Sequence, residues 1–408
     1  MTAGLDLLAG VQVVDFTQAL SGPFSTMMLA DLGADVIKVE APGRGDDSRH
    51  WGPPFVGDDS AYFMSVNRNK RSVALDIKTP VGRQAVLDLV AAADVVVENW
   101  RPGTAARLGL DAATLRTDNP GLVICSISGF GQDGDTRAGY DQIVQGTSGV
   151  MSLTGPPNVP VKWGIPAADL AAGMFAATAV VAALYDRRTS GRGHDLDIAM
   201  QDSLVAMLTQ HAARYLATGD LPPKDFNGHS TIAPYGTFGT ADGHVNICVG
   251  NDAQFQRMCV GLELDELGAD PRFATNPLRL NSQAELLDAL GIRLRELDTD
   301  DVIARLEQAG VPVGPIEDLA QVLHDPALRR RQMVLPVHRE GYGDTEVVNG
   351  PWKVDGRSSA VRRPPPRLGE HTDEVLADLR ATGGSATGQA RKHVQVRDST
   401  DPSTRGPA

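Results

Sequence analysis

VQVVDFTQALSGPFSTMMLADLGADVIKVE, residues 11–40, decides the fold. VQVVDF and DVIKVE are short β-branched runs, and GPFSTMMLADLGA between them has the apolar spacing of a helix. A strand, a helix and a second strand in so short a span read as one β-α-β unit, hence as parallel strands in one sheet. The pattern recurs: RSVALDI as strand, PVGRQAVLDLVAAA as helix, DVVVEN as strand, a helical pair in GTAARLGLDAATLRTDNP, and LVICSISGF as strand. The prediction is an α/β fold with a doubly wound, Rossmann-like parallel sheet. In such sheets ligands lie beyond the carboxyl ends of the strands, which singles out the loops TQALSGP, EAPGRGDDSR, ENWRPG and SGFGQDG. No Gly-x-Gly-x-x-Gly follows the first strand, which argues against ordinary dinucleotide binding.

Further along, GRGHDLDIAM reads as strand and QDSLVAMLTQHAARYLATG as helix, followed by a polar, Pro-containing connection. YGTFGTADGHVNICVG then reads as a hairpin with an Asp-Gly turn, and helical patterns continue to about Ala327. VLPVHREGYGDTEVVNGPWKVDG returns to strands, and PPPRLGEHTDEVLADL ends in a short helix. The expected division is a large α/β domain over residues 1–200 and 332–380, a linker helix and connection over 201–227, and a small α+β domain over 228–331. Residues 381–408 carry Gly, Ser, Thr, Arg and Pro without periodicity and are expected to form a disordered tail.

The chain has 408 residues, 42% of them hydrophobic, enough for a large core. Its formal net charge of -13 disfavours nucleic acid or an anionic membrane as partner and leaves room only for a local basic pocket. Cys125, Cys248 and Cys259 are too few and too scattered for a disulfide framework or a zinc site, which suits a reducing, cytoplasmic setting. The start MTAGLDLLAGVQVVDF lacks the pattern of a signal peptide.

One carboxylate demands explanation. Within GIPAADLAAGMFAATAVVAALYDRRTSGRG, Gly164–Gly193, nothing is charged between Asp169 and Asp186. The run Leu170–Tyr185 falls short of the roughly 20 residues a bilayer requires, so it reads as a buried core helix with Asp169 in its first turn. There it serves as a cap meeting the positive end of the helix dipole, as a chemical group, or as both. Basic residues gather near the predicted ligand edge: Lys38, Arg44, Arg49, Arg68, Lys70, Arg71, Lys78, Arg101 and Arg107. Each suits either a solvated face or an anion. VENWRPG sets an amide, an indole and a guanidinium in one loop, a combination fit for a nucleotide-like group or for covering the sheet edge. His194, His211, His229 and His244 lack metal-ligand spacing, and no serine sits in a nucleophile elbow.

Seven segments in order, GVQVVDFTQALSGPF, LGADVIKVEAPGRGDDSR, NRNKRSVALDIKTPVG, ADVVVENWRPG, GYDQIVQGTSGVMSLTG, DLAAGMFAATAVVAAL and PPPRLGEHTDEVL, resemble the class III coenzyme A transferases, which include formyl-CoA transferase. The likeness spans about Leu7 to Leu379. Through WGPPFVG, SVNRNKRS and APYGTFGTADG the chain resembles most the dicarboxylate enzymes of the succinate-hydroxymethylglutarate kind. The resemblance implies that Asp169 is the catalytic aspartate. It further implies CoA contacts at Leu75 and Lys78 beside the adenine, at Asn99, Trp100 and Arg107 along the pantetheine and phosphates, and at Tyr140 near the thiol. Gln18, Leu20 and Ser21 match the loop that approaches the acyl group. Ala41 replaces a basic residue of formyl-CoA transferase, which leaves phosphate neutralisation to Arg44 or Arg49. NGHSTIAPYGTF stands where that enzyme has a run of glycines, so His229, Ser230 and Tyr235 are candidates for the acyl pocket, Tyr235 equally for core packing.

The partners implied are an acyl-CoA and a free carboxylic acid, with no permanent cofactor and no metal. The resemblance also implies an interlocked homodimer. A 2-methylacyl-CoA racemase is the alternative within the family, opposed by Tyr140 where that branch has histidine: a phenol near pKa 10 is a poor base for an α-proton. From other classes come a nucleotide-binding oxidoreductase, opposed by the missing glycine fingerprint, and an inactive CoA-binding protein on the same fold.

Overall fold

The computed structural model describes residues 4–133, 137–222, 224, 227–341 and 343–383. Six strands form one parallel sheet: β1 (Gln12–Asp15), β2 (Asp35–Glu40), β3 (Lys70–Ala74), β4 (Val95–Glu98), β5 (Val123–Ser128) and β6 (Asp195–Ala199). Their spatial order is β3-β2-β1-β4-β5-β6, the doubly wound arrangement in which the chain reverses direction between β1 and β4. Val14 lies opposite Ile37 on one side and Val96 on the other, which sets the register of the centre.

Successive side chains leave a strand on opposite faces, and here both faces are covered. Val13, Val36, Val95 and Val123 pack with the helices α1 (Ser21–Asp31) and, much later in the chain, Ala167–Ser190. Val14, Ile37, Val73 and Val96 pack with α2 (Pro80–Ala92) and with Val375 of the terminal helix Thr372–Gly383. Double coverage explains why these strands read as continuous apolar runs rather than alternating ones.

One further helix, α3 (Asp141–Thr147), stands beside the helix Ala167–Ser190, here α4. The 24 residues of α4 are long and apolar enough to cross a membrane by length and composition, yet 56% of its apolar window is buried inside the molecule. Small residues let it lie close on α1. A Cβ at Gly173 would sit 2.7 Å from the Ser21 carbonyl oxygen and 2.9 Å from Phe24, so only glycine fits. One turn earlier on the same face is Asp169.

A separate apolar cluster runs from Ala233 to Val311, around the hairpin Tyr235–Gly239 and His244–Cys248 and its following helices. Three readings need correction. The helix expected over 201–219 breaks at Met207–Leu208 into Met200–Ala206 and Thr209–Thr218, with Thr209 at a positive φ of 36°. Val313–Pro315 adds a third strand to the hairpin, too short to carry a periodic signal. Residues 381–383, assigned to the tail, complete the terminal helix, because its last turn carries Ala and Thr without a breaker before Gly383; residues 384–408 lie outside the described residues.

Candidate active site

The carboxyl ends of β1 and β4 diverge at the switch point, and the loops leaving them meet across it. Asn99, one residue beyond β4, uses its amide twice on Gln18: the Gln18 N–H donates to Asn99 Oδ1 and Asn99 Nδ2 donates to the Gln18 carbonyl, both at 2.8 Å. Asp15, at the end of β1, accepts from the Thr17 N–H at 2.8 Å and from its hydroxyl at 2.5 Å. Lys38 Nζ donates to the Thr17 carbonyl at 2.6 Å, and the Ala19 N–H donates to Asp46 Oδ1 at 3.0 Å. Ala19 adopts φ 65°, a left-handed conformation rare for a residue with a Cβ. The chain then enters α1 at Ser21.

Asp169 faces that helix start, half-buried in the first turn of α4. Burial, and next the negative charge of Asp141, push its carboxyl up to about 7, against the pull of hydrogen bonds from the hydroxyl and N–H of Ser21. Asp141 is fixed at the start of α3. Its Oδ1 accepts the Ala168 N–H at 2.9 Å and its Oδ2 accepts Gln145 Nε2 at 2.8 Å, while Gln145 Oε1 accepts the Trp163 N–H at 2.8 Å. Two carboxylates thus share the approach to the N-terminus of α4. Tyr62 is pushed up to about 12 by burial and then by the charges of Asp169, Asp141 and Asp46, so it is a protonated donor at neutral pH. It packs with Leu20, Phe24, Met27 and Val66, and Trp51 meets its ring edge-on at 5.1 Å.

The other expected contacts divide sharply. Leu20 and Leu75 are 5% and 9% exposed and belong to apolar clusters, so their side chains are not at the surface. Trp100 packs on Phe16 with ring centroids 5.3 Å apart. Tyr140 is 66% exposed just before α3. Of the basic residues, Lys38, Arg49, Arg68, Lys70 and Arg71 are buried in ion pairs and are not an anion-binding surface. Arg49 in particular is held by Glu40, Asp59 and the Pro366 carbonyl, which removes it as a phosphate ligand. Arg44, Lys78, Arg101 and Arg107 remain at the surface, Arg44 beside Asp47 at 2.8 Å and Arg107 bonded to Thr104 at 2.9 Å. His229 lies against the Tyr235 ring, 5.1 Å between centroids.

Periodicity and spacing do not mark Lys38 and Asp46 as supports of the loop, nor Tyr62 and Gln145 as neighbours of Asp169. A lysine in the middle of VIKVE was the available signal: a strand covered on both faces leaves its ammonium group only a buried partner. No group of three or more His, Cys, Asp or Glu side chains able to hold a metal is present among the described residues.

The family model for CoA-transferase family III matches residues 8–372. The chain belongs to that family. It is 39% identical over 385 residues to the succinyl-CoA:glutarate CoA-transferase of Homo sapiens, covering 94% of this chain and 88% of the human one. With the succinate–glutarate CoA-transferase of Agrobacterium fabrum it shares 40% identity over 389 residues, 93% of this chain and 97% of that protein. The crystal structure of a CAIB/BAIF family protein from Brucella suis superposes with a TM-score of 0.83 at 40% identity, over 92% of this chain and 100% of that one. The chain is therefore a family III CoA-transferase, and its relatives exchange CoA between acyl-CoA and free acids.

Proposed function

We propose that this CoA-transferase moves CoA from succinyl-CoA to a short free dicarboxylic acid, with Asp169 as the residue that is acylated and then thioesterified. The observation that carries the reading is Asp169 itself: a half-buried carboxylate at the head of α4, facing the Ser21 start of α1 and raised to about 7. A more basic carboxylate is a better nucleophile, and at neutral pH about half of it is ionised.

The reaction needs no net proton movement. An Asp169 oxygen attacks the acyl-CoA carbonyl, and collapse of the oxyanion breaks the C–S bond; the CoA thiolate leaves with the electron pair and a mixed anhydride remains. The thiolate attacks the Asp169 carbonyl and expels the donor as its carboxylate, giving an aspartyl-CoA thioester. The acceptor carboxylate attacks that thioester and frees the thiolate, which then attacks the acceptor acyl carbon and restores the Asp169 carboxylate. Each oxyanion requires donors already in place, worth about 3 to 4 kcal/mol apiece. Ser21 offers its N–H and hydroxyl at the start of α1, and Tyr62 a protonated phenol.

Arg44, Lys78, Arg101 and Arg107 are the surface cations we assign to the CoA phosphates, with Trp100 and Tyr140 along the path to the thiol. A homodimer completes the reading. Met174, Phe175, Val181 and Tyr185 leave an apolar side of α4 exposed, Tyr185 by 76%, and a second copy of the chain is the cover we infer for it.

Substrate choice is tested with a panel of CoA esters against free acids, scored by the product CoA ester. Succinyl-CoA with glutarate or a similar dicarboxylate should give the highest kcat/KM; activity confined to monocarboxylic acids overturns the assignment.

A further inference from the structure

Beneath the Gln18–Ser21 loop lie two lysines and two aspartates with almost no access to water. Lys38, Lys70 and Asp15 are 0% exposed and Asp46 1%. Lys38 pairs with Asp46 at 2.9 Å and Lys70 with Asp15 at 3.1 Å. Two buried ion pairs are a poor way to gain stability, because desolvation cancels most of the attraction and an apolar pair of the same volume serves as well. Their bonds point to another use. Lys38 holds the carbonyl of Thr17, Asp46 holds the N–H of Ala19 and both the N–H and hydroxyl of Ser48, and Asn99 holds Gln18 between them. Two consecutive peptides, Thr17–Gln18 and Gln18–Ala19, are gripped from three sides.

The gripped segment contains the left-handed Ala19. An alanine there is strained relative to the ordinary region, because its Cβ crowds the following carbonyl oxygen, and such strain persists only where the surroundings over-determine it. Immediately downstream is Ser21 at the start of α1, packed so close on α4 that a Cβ at Gly173, one turn beyond Asp169, would lie 2.7 Å from the Ser21 carbonyl oxygen, and its N–H and hydroxyl favour the Asp169 carboxylate. If the loop relaxed to negative φ at Ala19, the first turn of α1 would rotate its donors away from that carboxylate.

We propose that Lys38 and Asp46 are positioning residues for CoA transfer: their buried ion pair locks Ala19 in the left-handed conformation that aims the Ser21 donors at Asp169. The inference rests on the role proposed for Asp169. Loss of aim, not loss of CoA binding, is the consequence of breaking the lock.

The test replaces both charges together, Lys38→Met with Asp46→Asn, so that no uncompensated charge is left inside. The full-length double variant is assayed with succinyl-CoA and glutarate, or the best pair from the panel, beside its melting temperature. Expected is a folded protein whose kcat falls at least about tenfold, while KM for the acyl-CoA stays within about threefold, since small misplacements act on the reacting geometry. Adding Ala19→Gly, which adopts the left-handed region freely, should recover about fivefold or more of the lost kcat. A folded double variant with wild-type kcat, or one that Ala19→Gly does not rescue, overturns the proposal. Should the double variant not fold, Ala19→Val decides: it touches no buried charge, and a β-branched residue at φ 65° should lower kcat with KM little changed; unchanged kcat overturns the proposal. Asp169→Asn is assayed alongside. If that variant stays active, the role of Asp169 itself is wrong, which is separable from failure of the lock.

Discussion

Asp169 is asked to be a nucleophile in a place that disfavours its charge. Burial and the neighbouring Asp141 raise its carboxyl from the ordinary 3.8 to about 7, while Ser21 pulls the other way. The attacking form is the carboxylate, so the rate of acyl-enzyme formation should climb with pH through an acid limb near 7 and level off above it. Asp141→Asn keeps an oxygen for the Ala168 N–H and removes the like charge, so the limb should move to lower pH; stopped-flow or quenched single-turnover rates against pH check this, and an unmoved limb would remove Asp141 from the account. Stability runs opposite to activity. A folded-state pKa above the unfolded one means that the folded protein holds a proton the unfolded chain releases between about pH 4 and 7, so this group costs stability as pH rises through that window. The place of Asp169 in the fold was legible in the sequence as a lone charge at the head of an apolar run. The surroundings that raise its pKa were not, because Asp141 and Ser21 are distant in sequence and meet it only through the packing of three helices.

At the scale of elements, four of the six strands were readable within one or two residues, while RSVALDI ran three residues past the third strand and GRGHDLDIAM began four before the sixth, whose DLDIA leaves two aspartates exposed and lacks the apolar run of the centre. Helix breaks were harder: QDSLVAMLTQHAARYLATG has no Gly or Pro inside to mark the interruption at Met207–Leu208. The basic cluster misled for a physical reason. Charge along the chain says nothing about which ammonium and guanidinium groups turn inward to ion pairs, and five of them do. The close approach of α4 to α1 carries the site. Gly173→Ala would place a methyl 2.7 Å from the Ser21 carbonyl, a backbone atom that cannot swing aside. We expect a loss of about 1–3 kcal/mol in unfolding free energy, together with a kcat loss exceeding the effect on KM, read by denaturant melts and steady-state kinetics. A neutral Gly173→Ala variant would mean that the two helices are looser than the packing indicates.

For the whole molecule, α4 both buries the sheet and shows an apolar side outward, at Met174, Phe175, Val181 and Tyr185. Covering that side with a second copy predicts a dimer by sedimentation velocity at micromolar concentration, and charged substitutions at Phe175 and Tyr185 should dissociate it; a fully active monomer would contradict this assembly. Sheet, helices and loop lock converge on one carboxyl group, so the most direct measurement is made there. Incubate the protein with succinyl-CoA, trap with hydroxylamine or reduce with borohydride, and locate the modified residue by peptide mass spectrometry, with Asp169→Asn in parallel. Modification is expected at Asp169 alone, with an Asn variant that neither traps nor turns over but melts at a higher temperature than the native protein at pH 8. Acyl exchange at the native rate in Asp169→Asn would contradict it.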